Sequence, residues 1–318
     1  MNAQVLPEHD VPARPPLTSA AAPSIAFRRR RDHSTAWLAV TPAVGLLALL
    51  LFGPAFAVAL FSLTDWQIGS SSLRFLGLDN YRALLADAVF WKALSNTALY
   101  VVLVVPGTVL LGLVTALLIE ARPALRSFYR AAHFLPVTST MAAMAIVWGT
   151  MLHPTIGLVN RLLAEFGVSG VNWLRDERTV LPALAVVGIW QSFGFAMVLF
   201  VAGLKSIPQS LYDAAAIDGA DGILDRLRTV TLPMLGPVTM FVVMLTATRA
   251  FEVFDIVRVL TQGGPNFASD VLLHRLYTES FDFLRTGYGA ALTVVYLAIV
   301  MLLTLVQARV LDRRMHYS

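Results

Sequence analysis

The sequence contains no cysteine, and only 14% of its 318 residues are charged. The absence of cysteine excludes disulfides and thiolate metal sites. Hydrophobic residues make up 57% of the chain, which is too large a share for one soluble core of this length. The lipid bilayer is therefore the expected solvent for most of the chain.

Several signatures of enzymes are also missing. The sequence has no Gly-x-x-x-x-Gly-Lys-Ser/Thr nucleotide loop, no His-Glu-x-x-His and no Gly-x-Ser-x-Gly. Its six histidines are scattered and show no metal-ligand spacing. We therefore expect no catalytic residue, no metal site and no cofactor bound by this chain.

Long uncharged runs are the dominant positive feature. Six of them are each at least as long as the ~20 residues that a helix needs to cross a bilayer. Backbone groups in lipid must be hydrogen-bonded within their own segment, so the runs are predicted to be helices. The expected fold class is an all-α membrane protein with six transmembrane helices. The predicted spans are roughly 36–63, 95–119, 133–152, 181–204, 234–257 and 288–309.

The distribution of Lys and Arg predicts the orientation. Fourteen of these residues fall on the side of the two termini and nine fall on the other side, whereas acidic residues divide evenly. The positive-inside rule then places both termini in the cytoplasm. The expected organisation is a disordered basic cytoplasmic tail (1–34), a first transmembrane helix with an amphipathic loop (35–92), a core transmembrane domain (93–310) and a C-terminal cytoplasmic tail (311–318).

The segment IPQSLYDAAAIDGADGILDRLRTVTLP, residues 207–233, lies between the fourth and fifth spans. Ser206 is expected to cap a short helix over 209–217, and Asp218 with Gly219 should form a turn before a second short helix over about 223–229. The alanines keep the first helix thin, so another protein could approach it closely. The residues alone leave two interpretations open, a helix that docks in a partner's groove and an ordinary connector.

The same segment resembles the EAA loop of ABC importer permeases. That pattern is Glu-Ala-Ala, three residues, Gly, nine residues and Ile-x-Leu-Pro; here the matching positions are 213–215, Gly219 and 230–233. Asp213 replaces Glu, and ten residues rather than nine separate Gly219 from Val230. The resemblance identifies 206–233 as a loop that couples the permease to an ATPase. Its coupling residues would be Tyr212, Asp213, Ala214, Ala215, Asp218, Gly219, Ala220, Leu232 and Pro233.

Three further stretches are similar to the carbohydrate-uptake branch, specifically its MalF-type subunit. They are FLGLDNYRALLADAVFWKALSNT, WQSFGFAMVLFVAGLKSIPQSLYDAAAIDGA and FDIVRVLTQGGP. The resemblance covers about residues 36–310 and implies the type I ABC importer transmembrane fold in a bacterial cytoplasmic membrane. It also implies a MalG-like second permease, two copies of an ATP-binding subunit that hold ATP and Mg, and an extracytoplasmic substrate-binding protein.

Charged residues inside a span are candidates for the translocation path. The fifth span carries Arg249, Glu252 and Asp255, whose i, i+3 spacing would let neighbours pair along one helix face. They could form a self-neutralising ion cluster, or they could line the path. Trp190 and Gln191 form a second candidate pair, since an indole suits the apolar face of a sugar ring. Trp190 could equally be a core or lipid-facing residue.

The predicted function is that of a non-catalytic permease subunit that moves a mono- or oligosaccharide across the membrane by alternating access. The first alternative keeps the same assembly but changes the cargo to glycerol 3-phosphate or a glycerophosphodiester. A remote alternative is a stand-alone secondary carrier, which would be expected to have inverted repeats and discontinuous helices. The carrier alternative gives no account of the EAA-like loop.

Overall fold

The computed structural model describes residues 25–121, 126–168 and 170–315. These residues are helical apart from connecting turns and one isolated antiparallel bridge between Thr64 and Phe75. The chain divides into two compact units, Met1–Phe56 and Ala57–Ser318. In chain order the helices are α1 (Ile25–Phe61), α2 (Asp79–Ala86), α3 (Ala88–Ala121), α4 (Arg126–Thr138), α5 (Met141–Met151), α6 (Leu158–Glu165), α7 (Val180–Ser206), α8 (Gln209–Ile217), α9 (Ile223–Arg226), α10 (Leu232–Met234), α11 (Gly236–Phe251), α12 (Asp255–Leu260), α13 (Leu272–Tyr277) and α14 (Thr286–Met315).

Four helices are long and apolar enough to cross a bilayer alone: Trp37–Phe61 within α1, all of α3, all of α7, and Thr286–Val310 within α14. Two bent pairs pass the same test together. The helices α4 and α5 meet at 100°, and Ile223–Met234 meets Gly236–Leu260 at 65°. Counting each bent pair as one span gives the six predicted spans.

Some predicted boundaries differ from the observed ones. The second span begins at Ala88 rather than near 95, because α3 includes the last residues of the segment that was assigned to the amphipathic loop. Residues 25–34 were assigned to a disordered tail, yet they lie in α1. The remainder of that tail, residues 1–24, lies outside the described residues, as do 316–318 of the C-terminal tail.

Helices α3 and α7 pack closely through small residues. A Cβ added at Gly112 of α3 would lie 2.7 Å from the Cβ of Ala196 on α7. A Cβ added at Gly188 of α7 would overlap the hydroxyl of Tyr100 on α3. Small residues are the usual means by which helix backbones approach in a membrane, where van der Waals packing replaces the hydrophobic effect. The α3–α7 pair therefore forms the central seam of the unit that begins at Ala57.

Helices α3, α7 and α14 begin on the same side of the bundle, where Tyr288 donates to Asp87 and where Asn266 contacts both Lys92 and Glu177. We call this side the far end. The turn 261–270 is anchored there by α3 side chains. Lys92 Nζ donates to the Asn266 carbonyl at 2.6 Å. Asn96 Nδ2 donates to the carbonyls of Phe267 and Asp270, both at 2.8 Å. These contacts fix the turn against α3.

A charge cluster is buried beside this turn, and its members are Asp87, Asp270, His274, Arg275 and Glu279. Arg275 Nη2 lies 2.5 Å from Glu279 Oε1, and its side chain also lies within 4.0 Å of Asp87 and Asp270. His274 Nδ1 lies 2.7 Å from Asp270 Oδ1. Burial raises the pKa of the Glu279 carboxyl, against the opposing effect of Arg275 and Arg285. Arg275 is therefore the central cation of this cluster.

Candidate functional site

Helix α8 begins directly after α7, with Pro208 in extended conformation at its N-cap position. The expected cap was Ser206, and that expectation was wrong. Helix α7 continues through Ser206, whose Oγ donates back to the Gly203 carbonyl at 2.8 Å. The helix predicted over 209–217 is confirmed with the same bounds.

The end of α8 is a Schellman motif built on Gly219. The Gly219 amide donates to the Ala216 carbonyl at 3.2 Å, and the Ala220 amide donates to the Ala215 carbonyl at 2.8 Å. Asp218 occupies the C-cap. Gly219 has φ +90°, in the left-handed region that side chains disfavour. The glycine is therefore required by the backbone of the turn, and open space surrounds its missing side chain.

The second half of the loop, which returns the chain to the bundle, contains a π turn. Helix α9 is followed at once by π-helical residues Leu227–Thr231, and α10 then begins at Leu232 with Pro233 in its first turn. A π turn closes i→i+5 hydrogen bonds and so holds one residue more than an α turn. The sequence has one residue more than the EAA pattern between Gly219 and Val230. The π turn lies where that extra residue can be accommodated.

One side of α8 faces the bundle and the other is free. The Tyr212 hydroxyl lies 3.1 Å from Thr231 Oγ1, and Tyr212 and Ala215 pack on the core cluster around Phe200. Asp213 and Ala214 lie on the exposed side. The Asp213 carboxylate accepts a hydrogen bond from the Gln209 amide at 3.2 Å and is otherwise available to a partner.

Two isoleucines on either side of the Gly219 turn were missed by the sequence reasoning. Ile217 is 87% exposed and Ile223 is 89% exposed, and Leu224 beside them is also exposed. The sequence did contain an indication of them, because two β-branched apolar residues flank a turn that is otherwise made of small and polar residues. The Gly219 turn thus presents an apolar tip, which we call the α8–α9 tip and define by Ile217, Gly219, Ile223 and Leu224.

A cavity of about 340 Å³ lies among α3, α4, α5, α7, α11 and α12. Four of the five predicted path residues line this cavity: the charged residues Arg249, Glu252 and Asp255, and the uncharged Gln191. Tyr100 from α3 and Ser192 from α7 complete the polar part of the lining. Tyr100 was not predicted, because only the packing of α3 against α7 brings it to this place.

The fifth span is interrupted where its charges lie. Helix α11 ends at Phe251 and α12 begins at Asp255, so Glu252 lies in the break and the three charged residues do not share one helix face. Among the described residues, no salt-bridge partner lies within 4.0 Å of any of the three. The Arg249 guanidinium instead lies 4.7 Å from the ring centre of Phe195. This geometry does not support the pairing expected from the i, i+3 spacing.

The structure separates Trp190 from Gln191. Trp190 packs edge-on against Trp148, with ring centres 5.6 Å apart, and it is not part of the cavity lining. Successive residues of a helix point about 100° apart, since an α-helix has ~3.6 residues per turn. Gln191 therefore reaches the cavity while its neighbour packs against α5.

A second and larger cleft, of about 760 Å³, opens at the far end. It is lined by the end of α5, the 153–175 loop, α12 and the anchored turn. Helices α5 and α12 line both spaces: Met141 and Asp255 border the inner cavity, while Gly149 and Leu260 border the far-end cleft. The two spaces therefore follow one another along the α5–α12 pair.

Comparison with known proteins identifies the family. The model for "Binding-protein-dependent transport system inner membrane component" matches residues 90–317. The chain belongs to this family. A probable ABC transporter permease, YurN of Bacillus subtilis (strain 168), is 35% identical over 277 residues, which cover 86% of this chain and 94% of YurN.

Other relatives of this permease carry names that state a cargo. The sn-glycerol-3-phosphate transport system permease protein UgpA of Agrobacterium fabrum (strain C58 / ATCC 33970) is 32% identical, over 89% of this chain and 96% of UgpA. A chain of a bacterial alginate ABC transporter, solved in complex with an alginate pentasaccharide-bound periplasmic protein, superposes with a TM-score of 0.78 at 20% identity, over 92% of this chain and 98% of that chain. The fold is therefore that of type I ABC importer permeases, and the protein is a multi-pass inner-membrane component.

Proposed function

We propose that this chain is the transmembrane permease subunit of an ATP-driven importer that moves a sugar across the cytoplasmic membrane by alternating access. The observation that carries the proposal is the α8–α9 tip, an ordered apolar turn on a thin helix in a member of a binding-protein-dependent transport family. Exposed apolar groups on a short helix are suited to docking in a groove of a partner protein.

The proposed assembly contains a MalG-like second permease, two ATP-binding subunits and an extracytoplasmic substrate-binding protein. The ATP-binding subunits bind ATP and Mg and carry out hydrolysis, and this chain carries no catalytic group. Both termini and the α8–α9 tip lie in the cytoplasm, as the excess of Lys and Arg on that side favours. The far end then faces the binding protein.

Two observations support a sugar as the cargo over the alternatives. Hydroxyl and amide groups, from Tyr100, Ser192 and Gln191, line the inner cavity and suit hydroxylated solutes. A solved transporter chain of similar fold is named for the import of the acidic polysaccharide alginate. Glycerol 3-phosphate or a glycerophosphodiester remains the second candidate cargo, since UgpA is named for the former. The stand-alone carrier alternative gives no role to the α8–α9 tip.

The proposal is tested by co-purification from native membranes through a tag on this chain. We expect a second permease and an ATPase to co-purify, and we expect the double substitution Ile217→Ala/Ile223→Ala to reduce ATPase recovery by about tenfold or more, because two exposed apolar anchors are lost. The second permease should still be recovered with that variant.

The matched control is Ile68→Ala/Ile156→Ala, which removes two exposed isoleucines from connecting segments far from the α8–α9 tip. This control should leave ATPase recovery unchanged. If the wild-type chain brings down no ATPase under any mild detergent condition, the importer function is wrong. If both variants lose the ATPase equally, the tip is not the docking surface.

A further inference from the structure

The inner cavity contains an unusual set of unpaired polar groups. It holds two carboxylates, Glu252 and Asp255, and one guanidinium, Arg249. All three residues are exposed to the cavity side of this chain, and among the described residues none of their side chains forms a hydrogen bond or a salt bridge. Charged groups inside a membrane protein normally pair with one another or serve the transported solute. The formal charge of the three together is −1.

Tyr100 gives an independent sign that this space receives a ligand. The residue is 3% exposed, and polar groups of buried residues are normally hydrogen-bonded. No described residue forms a hydrogen bond with that hydroxyl, which lies beside Gly188 on the wall of the cavity. Tyr100 is therefore a buried residue on the wall of the cavity, and its hydroxyl has no protein partner among the described residues and is available to a solute.

The donor and acceptor chemistry of this set distinguishes between classes of solute. Ionised carboxylates only accept hydrogen bonds, and a guanidinium only donates them, whereas hydroxyl groups do both. A solute rich in hydroxyls can donate to Glu252 and Asp255 while it accepts from Arg249. A phosphate or a carboxylate can only accept, so it meets one complementary group and two groups of like charge.

We propose that this cavity selects an uncharged polyhydroxylated solute, such as a neutral sugar or polyol, and rejects phosphorylated and carboxylated solutes. Glu252 and Asp255 are the residues that determine this selection, and Tyr100 supplies a further contact. The inference rests on the proposed function, because it concerns the cargo of the same importer. It decides against the glycerol phosphate alternative for this chain.

The test uses the complete transporter, purified through this chain with its co-purifying subunits and cognate binding protein and reconstituted in proteoliposomes. ATP hydrolysis is measured with uncharged probes (maltose, trehalose, sucrose and sorbitol) and with anionic probes (glycerol 3-phosphate and glucuronate). We expect stimulation by at least one uncharged probe and by neither anionic probe. Stimulation of the wild type by an anionic probe alone would overturn the inference.

Substitutions in this chain distinguish selection of the solute by the cavity from selection by the binding protein, which they leave unchanged. Glu252→Gln/Asp255→Asn should raise the KM for the stimulating probe about tenfold, since hydrogen bonds to charged groups are stronger than those to neutral ones. Tyr100→Phe should raise it by a smaller factor. Glu165→Gln/Asp79→Asn makes the same change in charge outside the cavity and should leave KM unchanged.

The outcomes distinguish a failure of the proposed selection from a failure of the proposed importer function. An unchanged KM in the cavity double variant, with an uncharged cargo, would overturn the role of Glu252 and Asp255 but would leave the importer function intact. A chain that co-purifies with no ATPase would remove the importer function, and the selection with it. An uncharged cargo together with a raised KM in the cavity variant alone would establish the selection.

Discussion

Gly219→Asp is expected to abolish cargo-stimulated ATP hydrolysis and uptake while the protein still reaches the membrane. The substitution places a carboxylate on the α8–α9 tip, between Ile217 and Ile223, which are the most exposed apolar residues of the loop. A charge buried in a docking groove without a partner is strongly unfavourable. Uptake into proteoliposomes and the yield of the chain in membranes are the two measurements.

Backbone strain alone cannot explain this expected loss. A non-glycine residue in the left-handed region costs on the order of 1 kcal/mol, and aspartate tolerates that region better than most residues. A Cβ added at Gly219 would have no atom of this chain within 4 Å apart from its chain neighbours, so steric overlap at the turn does not explain the loss either. The effect therefore requires a partner that covers the tip.

Gly69 provides a matched control, because it has φ +89° and is likewise surrounded by open space, but it lies in the turn that follows α1. Gly69→Asp introduces the same charge and the same backbone strain at a site remote from the tip. It should leave uptake near the wild-type value. Normal uptake by a well-expressed Gly219→Asp protein would refute the docking role of the tip, whatever the control does.

Arg275→Met is expected to prevent stable accumulation of the folded chain. The Arg275 side chain is 9% exposed and lies next to Glu279, which is completely buried, and close to Asp270 and Asp87. Removing one partner of a buried ion pair typically costs ~3–5 kcal/mol, because the remaining charge has no compensation. The yield of monodisperse protein and its apparent melting temperature in detergent measure this loss.

The loss should also depend on pH in one direction. The pKa of Glu279 is already raised by burial, and removal of Arg275 would raise it further because a compensating cation is gone. Protonated Glu279 needs no counter-charge. The loss of stability of the Arg275→Met protein relative to the wild type should therefore be smallest at acidic pH, and it should grow as the pH rises through the pKa of Glu279. A deficit that grows as pH falls would contradict this assignment.

Arg82→Met is the control for the Arg275 substitution. Arg82 pairs with Asp79 at 2.9 Å, but the Arg82 side chain is 80% exposed, and such surface pairs contribute about 0–1 kcal/mol. This variant should accumulate like the wild type. If Arg82→Met and Arg275→Met lost folded protein equally, burial of the Arg275 ion pair would not be the cause of the loss.

The sequence by itself determined the membrane class, the all-helical fold and the bounds of α8. It could do so because a long uncharged run has one viable structure in lipid, the helix. It could also do so because glycine is the residue that most readily ends a helix in the left-handed conformation, as Gly219 does here. The match of the EAA-like loop to known permeases also lay entirely in local residue spacing. All of these features depend on neighbours along the chain.

Tertiary structure decided the rest. The break between α11 and α12, the removal of Trp190 from the cavity and the approach of Tyr100 to it all depend on how α3, α5 and α7 pack. The buried cluster around Arg275 likewise gathers Asp87 and Asp270, residues from distant parts of the sequence. Periodicity and composition report which face of a helix is apolar, but not which helix lies opposite, so contacts between distant residues became visible only in the fold.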